Sequence, residues 1–415
     1  MSAKTFLFFP IDIGLAHIVR SLVIAEELQA QGHRVIFALP KRKHAVLMGK
    51  TKVKVVDVLS ALKTDSFESL YVFRNEAILR KQIAEERALI KKYRPDAVVV
   101  DYRLSALAAS AIVGVKTYFL AHGTGLPYGA KLPNPGVPVW FYKLSPRIIK
   151  WVVDYGERWF LKPLIKIAKE YGNPYSLREW FLSLEYILPE PSFYFPPNET
   201  KLVRHYVGAL EWKGFQNTKT PSWLKNIHKN GKTIYLSFGG TGFSPQQLQT
   251  FAVDLVNKGY RVIVSTGTIC EPESFPKLAN LYVAKYLPGK KISALVDVVV
   301  CHGGYGTMID AIYSQTPVIA IPFNPEQLMH SWRMDELGVG YCLVKLNIMK
   351  FFGLLSFNFQ IFEEEGKKIK SADLLRALEK VAQNKAQIQQ KLAWFNKVHP
   401  YRDGAKEAAK IVASS

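Results

Sequence analysis

The chain has 415 residues, 48% of them hydrophobic and 13% aromatic, with a formal net charge of +21. That length suggests two or three domains, and the apolar content is ample for packed cores, so disorder is not the default. The charge leaves nucleic acid, an anionic membrane surface or phosphate-bearing substrates as partners, but no helix-turn-helix, zinc-ligand spacing or RNP-like motif supports nucleic acid.

The opening "MSAKTFLFFPIDIGL" is interrupted by Pro10 and Asp12 and has no small-residue cleavage site, so it reads as a first strand, not a signal peptide. A helix follows, with Ile18, Leu22, Ala25 and Leu28 at helical spacing, Val19 and Val23 beside them, and Gly32 just past its end as a C-cap. Further apolar runs continue through "RVIFAL", "VKVVDV", "DAVVVD" and "TYFLA". A polar, turn-rich segment from Glu211 then separates these from a second set: "TIYLSF", "YRVIVST", "LYVAKY", "DVVVCH" and "PVIAIP". Strands apolar on both sides and alternating with helices predict parallel sheets covered on both faces. The expected division is an N-terminal domain at 1–212, a linker at 213–231, a C-terminal domain at 232–383, and C-terminal helices at 384–415 with the option of crossing back to the first domain. No run reaches the roughly 18 apolar residues needed to span a bilayer. The cysteines Cys270, Cys301 and Cys342 cannot build a disulfide framework and fit a reducing, cytoplasmic compartment.

The chemistry-bearing stretch is "VDVVVCHGGYGT". After a buried strand come His302 and a glycine-rich turn, and a helix begins near Gly306. Glycines let backbone N–H groups approach a ligand, and a helix N-terminus carries unpaired donors and about half a positive charge. A diphosphate would suit this turn; a tight strand-to-helix turn with no ligand is the competing reading.

This region resembles the nucleotide-sugar signature of the family-1, UDP-glycosyltransferase-like enzymes. That resemblance implies the GT-B fold, two doubly wound α/β Rossmann-like domains facing across a cleft. It implies that His302, Gly304, Gly306 and Thr307 meet the diphosphate and that Asp310, standing where Glu is usual, meets the ribose. Glu326 and Gln327 would bind hydroxyls of the transferred sugar. "YLSFGGTG" resembles a second loop of the family, with Gly240 and Thr241 near the phosphates. "KYLPGKK" resembles its aromatic-x-Pro-Gln segment, with Tyr286 against the base, Leu287 offering backbone groups, and Gly289 replacing the usual Gln.

The N-terminal stretch "IDIGLAHIVRSLVIAEELQAQGHRV" resembles the family's "GHxxPxLxLAxxLxxxGHxV". His17 falls at the catalytic-base position; a helix cap is the plain alternative. Arg20 replaces a proline and could bind an acidic group on acceptor or donor, or pair with a neighbouring acid. Asp101, at the end of "DAVVVD", stands where the family orients its histidine; an N-cap for the next helix is the alternative. His122 is a spare base candidate that could equally be structural.

The implied reaction is an inverting transfer of a hexose from a UDP- or dTDP-sugar to a hydroxyl of a small-molecule or lipid acceptor, with no metal and no cofactor. A non-catalytic nucleotide-sugar-binding scaffold and a nucleotide-sugar epimerase or hydrolase are the alternatives. The stretch 139–171 alternates aromatics (Trp140, Phe141, Trp151, Trp159 and Phe160) with basic residues, and "IMKFFGLLSFNFQIF" adds a second apolar segment. Both suit an anionic membrane surface, which would place the protein peripherally at the inner face of the membrane, and both suit ordinary core.

Overall fold

The computed structural model describes residues 2–13, 15–47, 51–60, 73–126, 161–173, 177–196, 201–211, 221–240, 242–345 and 360–415. They form two compact units. One takes the described residues up to 211 together with 402–415, and the other takes 221–401.

The first unit is built on seven strands: β1 Thr5–Pro10, β2 Arg34–Ala38, β3 Lys54–Val56, β4 Ala97–Asp101, β5 Thr117–Leu120, β6 Glu185–Leu188 and β7 Val203–Tyr206. They lie in the order β3-β2-β1-β4-β5-β6-β7, every pair parallel. Successive side chains of a strand point to opposite faces, and here both faces are apolar. Phe6, Phe8, Ala97 and Val99 face one core layer with Ile18, Leu22, Ala25 and Leu28. Leu7, Phe9, Val98 and Val100 face the other with Leu79, Ile83 and Ile90.

The helix Ala16–Ala30 ends as expected: Gly32 has φ +89, and the His33 N–H donates to the Leu28 carbonyl at 3.1 Å. The chain's final helix, Gly404–Ala413, belongs to this unit. Its Ala405, Ala408, Ala409 and Val412 recur at helical spacing and are buried in the layer with Ile18 and Leu22. The Tyr118 hydroxyl donates to the Ile411 carbonyl at 3.1 Å, and the Gly404 N–H donates to the Ala209 carbonyl at 3.0 Å.

The second unit has six strands: β8 Thr233–Ser237, β9 Arg261–Ser265, β10 Leu281–Ala284, β11 Val298–Cys301, β12 Val318–Ala320 and β13 Gly340–Cys342. Their order is β10-β9-β8-β11-β12-β13, again all parallel. The ten expected strands are all present. Beyond them the structure adds β6, β7 and β13.

In each sheet the strand order reverses beside its first strand, between β1 and β4 and between β8 and β11. Such switch points open a crevice at the carboxyl ends of the strands, where ligands of open α/β sheets bind. Among the described residues, no helix is long and apolar enough to cross a membrane. Of the basic aromatic stretch, residues 161–170 are helical and bury Leu161, Leu164 and Ile167 in the first unit's core. Residues 139–160, 212–220 of the linker region and 348–359 lie outside the described residues.

Candidate functional site

At the first unit's switch point, β1 and β4 end side by side, with Pro10 paired to Asp101. The helix that follows β1 therefore passes over the end of β4. Its first turn carries His17, whose Nδ1 lies 2.7 Å from Asp101 Oδ1. One turn on, Arg20 donates from Nε to Asp101 Oδ2 at 2.5 Å and from Nη2 to Oδ1 at 2.6 Å. Ser21 Oγ donates to Oδ2 at 3.2 Å. Asp101 is fully buried, whereas the His17 side chain keeps 13% of its surface exposed. Burial alone would raise the Asp101 pKa, but the charges and hydrogen bonds of Arg20 and His17 outweigh it and hold it at about 2.

The helix Ala16–Ala30 has Leu15 at its N-cap, and the helix Leu104–Val113 has Arg103. Neither His17 nor Asp101 is therefore a cap. Tyr102, directly after Asp101, has φ +51, a left-handed conformation that side chains rarely adopt. Its ring meets the His17 ring edge-on at 5.5 Å and carries the Arg20 guanidinium 5.6 Å above its centre.

Other polar residues gather at this end of the sheet, and sequence reasoning missed most of them. His122, just past β5, is buried, with Nδ1 2.9 Å from Glu190 Oε2; the Gly123 N–H donates to the other oxygen of Glu190. Asp12 accepts from Arg42 Nη2 at 2.6 Å and from Ser60 Oγ at 2.5 Å. Glu86 Oε1 accepts from Arg103 Nε at 2.5 Å and from Ser105 Oγ at 2.9 Å. Three buried carboxylates, Asp12, Glu86 and Asp101, are thus each matched by an arginine. The only signal in the sequence is the charge placed two residues after a strand, at Asp12 and Arg103.

In the second unit, Cys301 pairs with Ser237, so the turns after β11 and β8 lie together. His302 Nδ1 lies 3.4 Å from the Ser237 carbonyl. Its ring is held between two glycines. A Cβ on Gly239 would stand 3.2 Å from the ring, and one on Gly304 would collide with Nε2. Burial lowers the His302 pKa to about 4, so the ring is neutral near pH 7. Gly303, at φ +81, makes the turn, and a Cβ there would collide with Ser331 Oγ and the Gln327 carbonyl. The helix Tyr305–Tyr313 begins one residue before Gly306. Gly306 is exposed with open space around it, and Thr307 follows in the same turn.

Gly240 follows β8, as expected, while Thr241 lies outside the described residues. Tyr286 is half-buried and Leu287 buried, both just beyond β10. A Cβ on Gly289 would stand 2.9 Å from Asp310 Oδ2, so the two departures from the family pattern are neighbours in space. Glu326 and Gln327 open the helix Pro325–Glu336. Asn324 caps that helix by accepting from the Gln327 N–H at 2.9 Å, and Gln327 Oε1 accepts from the Phe323 N–H at 2.9 Å. His330, unnoticed in the sequence, is buried one turn later, 4.0 Å from Glu326 and tilted against the Tyr305 ring at 5.3 Å.

The expected residues therefore fall into two groups, one per unit, each at the carboxyl ends of a parallel sheet. Residues 236–348 match the family model described as glycosyltransferase family 28 C-terminal domain. A PGL/p-HBAD biosynthesis glycosyltransferase of Mycobacterium tuberculosis is 28% identical over 345 residues, 79% of this chain and 78% of its own. A PGL/p-HBAD biosynthesis rhamnosyltransferase of Mycobacterium bovis is 26% identical over 357 residues, 82% of this chain and 77% of its own. Among solved structures, the calicheamicin glycosyltransferase CalG4 superposes with a TM-score of 0.70, covering 100% of this chain and 98% of its own at 16% identity.

Proposed function

We propose that the chain, a glycosyltransferase of the GT-B fold that resembles the family-1 enzymes, transfers a hexosyl group from a nucleoside diphosphate sugar to an acceptor hydroxyl with inversion at the anomeric carbon. The observation that carries this reading is the contact between His17 and Asp101 at the first unit's switch point. With the Nδ1 proton donated to the ionised carboxylate, Nε2 is left bare as a base. It takes the acceptor's hydroxyl proton as that oxygen bonds to the anomeric carbon. The carbon–oxygen bond to the diphosphate breaks on the opposite face, and Asp101 stabilises the imidazolium that results.

The second unit receives the donor. Backbone N–H groups of the 302–307 turn, the Thr307 hydroxyl and the partial positive charge of a helix start accept the departing diphosphate. Gly240 flanks the phosphates, Asp310 takes the ribose, and Tyr286 and Leu287 take the base. Glu326 offers its carboxylate to sugar hydroxyls, and Gln327 its amide nitrogen. These donors supply positive potential without a metal. The donor is a UDP- or dTDP-hexose, and the rhamnosyltransferase among the relatives extends the sugar class to 6-deoxyhexoses. The acceptor is a small molecule or a lipid.

Nucleotide release and glycoside formation, followed with UDP- and dTDP-hexoses with and without a chelator, test this. His17→Ala and Asp101→Asn are each expected to lose about 10²- to 10⁴-fold in kcat with donor Kd little changed. Product with retained anomeric configuration, or full turnover by His17→Ala, counts against the mechanism.

A further inference from the structure

We propose that Arg20 is a positioning residue for this reaction: it grips both oxygens of Asp101 and thereby fixes the carboxylate's orientation toward His17 and keeps it ionised. The inference rests on the reading of His17 and Asp101 as the base and its orienter.

The geometry is a forked pair. Nε meets Oδ2 at 2.5 Å and Nη2 meets Oδ1 at 2.6 Å, which sets the plane of the carboxylate. Oδ1 is the oxygen that also meets His17 Nδ1, at 2.7 Å. Without the fork, Oδ2 would keep only the longer contact from Ser21 Oγ at 3.2 Å, and the carboxylate plane would be free to tilt about Oδ1. Arg20 and His17 stand three residues apart on the same helix, so one face delivers both partners to Asp101. Arg20 is 7% exposed, its guanidinium lying over Tyr102, whose own ring edges His17.

Charge follows from the same contacts. Among the described residues, the first helix presents His17, Arg20 and Ser21 to this carboxylate, while β1 brings Pro10 alongside and the Ile11 N–H to the Asp101 carbonyl at 2.8 Å. Arg20 is the one permanent cation in that set. It offsets the burial that would otherwise drive a proton onto the carboxyl, and Asp101 stands at about 2. Arg20 Nη2 also lies 2.9 Å from His17 Nδ1. Once that nitrogen carries the proton directed at Asp101, Nη2 cannot donate to it.

Without that cation protonation of Asp101 becomes easier, a protonated Asp101 no longer orients His17, and the acid limb of kcat/KM moves to higher pH. Arg20→Gln and Arg20→Lys separate charge from geometry, since a lysine keeps the charge without the fork.

In carboxyl-labelled protein, with Asp101→Asn for assignment, Arg20→Gln is expected to raise the Asp101 titration from about 2 to above 4. It is also expected to move the acid limb of kcat/KM up by about one pH unit, with donor KM within about twofold. Arg20→Lys is expected to leave the titration low while kcat falls by about tenfold or more. An unmoved Asp101 titration in Arg20→Gln overturns the proposal. So does a wild-type kcat in Arg20→Lys, which decides the matter alone should Arg20→Gln not fold. A raised titration with an unmoved acid limb upholds the grip on Asp101 and instead removes His17 and Asp101 from the chemistry.

Discussion

His302 illustrates how a residue's setting fixes its protonation. Glycines on both sides hold the ring in a partly buried position, and desolvation lowers its pKa to about 4 against about 6.5 in an unfolded chain. Between those values the unfolded state binds more protons than the folded one. Stability therefore rises with pH from about 4 to about 6.5 and is fully present above that. Denaturant titrations at pH 5 and pH 7 are expected to differ by on the order of 2 kcal/mol on this account, and His302→Asn to remove most of that difference. Asp101 acts in a separate window. Its lowered pKa contributes stability that is present above about 4 and lost as pH falls toward 2.

The site was partly legible at this scale. His17, Asp101 and His302 stand out because spacing along one segment places each at a strand's end. The partnership of Arg20 with Asp101, of Glu190 with His122 and of Glu86 with Arg103 did not stand out. These residues are far apart in the chain or carry ordinary surface charges, and only the folded sheet brings them together.

Among the elements, parallel strands with both faces covered are plain in the sequence because they read as unbroken Val, Ile and Phe runs. The three additional strands lack that mark. β13 is three residues long and includes Gly340 and Tyr341, and β7 is "VRHY", an edge strand with no fully buried residue. β6 has four residues and a glutamate. Backbone pairing, not composition, makes them strands.

The helices Glu76–Tyr93 and Leu104–Val113 are joined by Glu86 and Arg103, both fully buried. Burial raises the Glu86 pKa, and Arg103 opposes it. Arg103→Met leaves that carboxyl uncompensated and is expected to cost about 3–5 kcal/mol in urea unfolding. Arg103→Met combined with Glu86→Leu is expected to recover most of the loss, since a well-packed apolar pair replaces an ion pair at little net cost.

The chain carries a net charge of +21, and among the described residues the buried carboxylates Asp12, Glu86 and Asp101 each take up one arginine. The described part of the basic aromatic stretch turns its apolar side into the core and leaves Lys162, Lys166 and Lys169 exposed. Flotation with anionic liposomes at low salt tests membrane attachment. Binding is expected that weakens toward 0.5 M salt and is absent with zwitterionic lipid. No flotation at low salt removes membrane attachment as a role for that charge.

The final helix gives the first unit a discontinuous chain. A ribosome releases residues 402–415 only after the whole of 221–401 has emerged, so the later-encoded unit can finish folding while the earlier one still lacks its lid over Ile18 and Leu22. An expression fragment cut at residue 211 would carry that open face into solution. A self-sufficient version needs the last fourteen residues grafted back on, and Ala209, whose carbonyl already accepts from the Gly404 N–H, marks where the graft belongs.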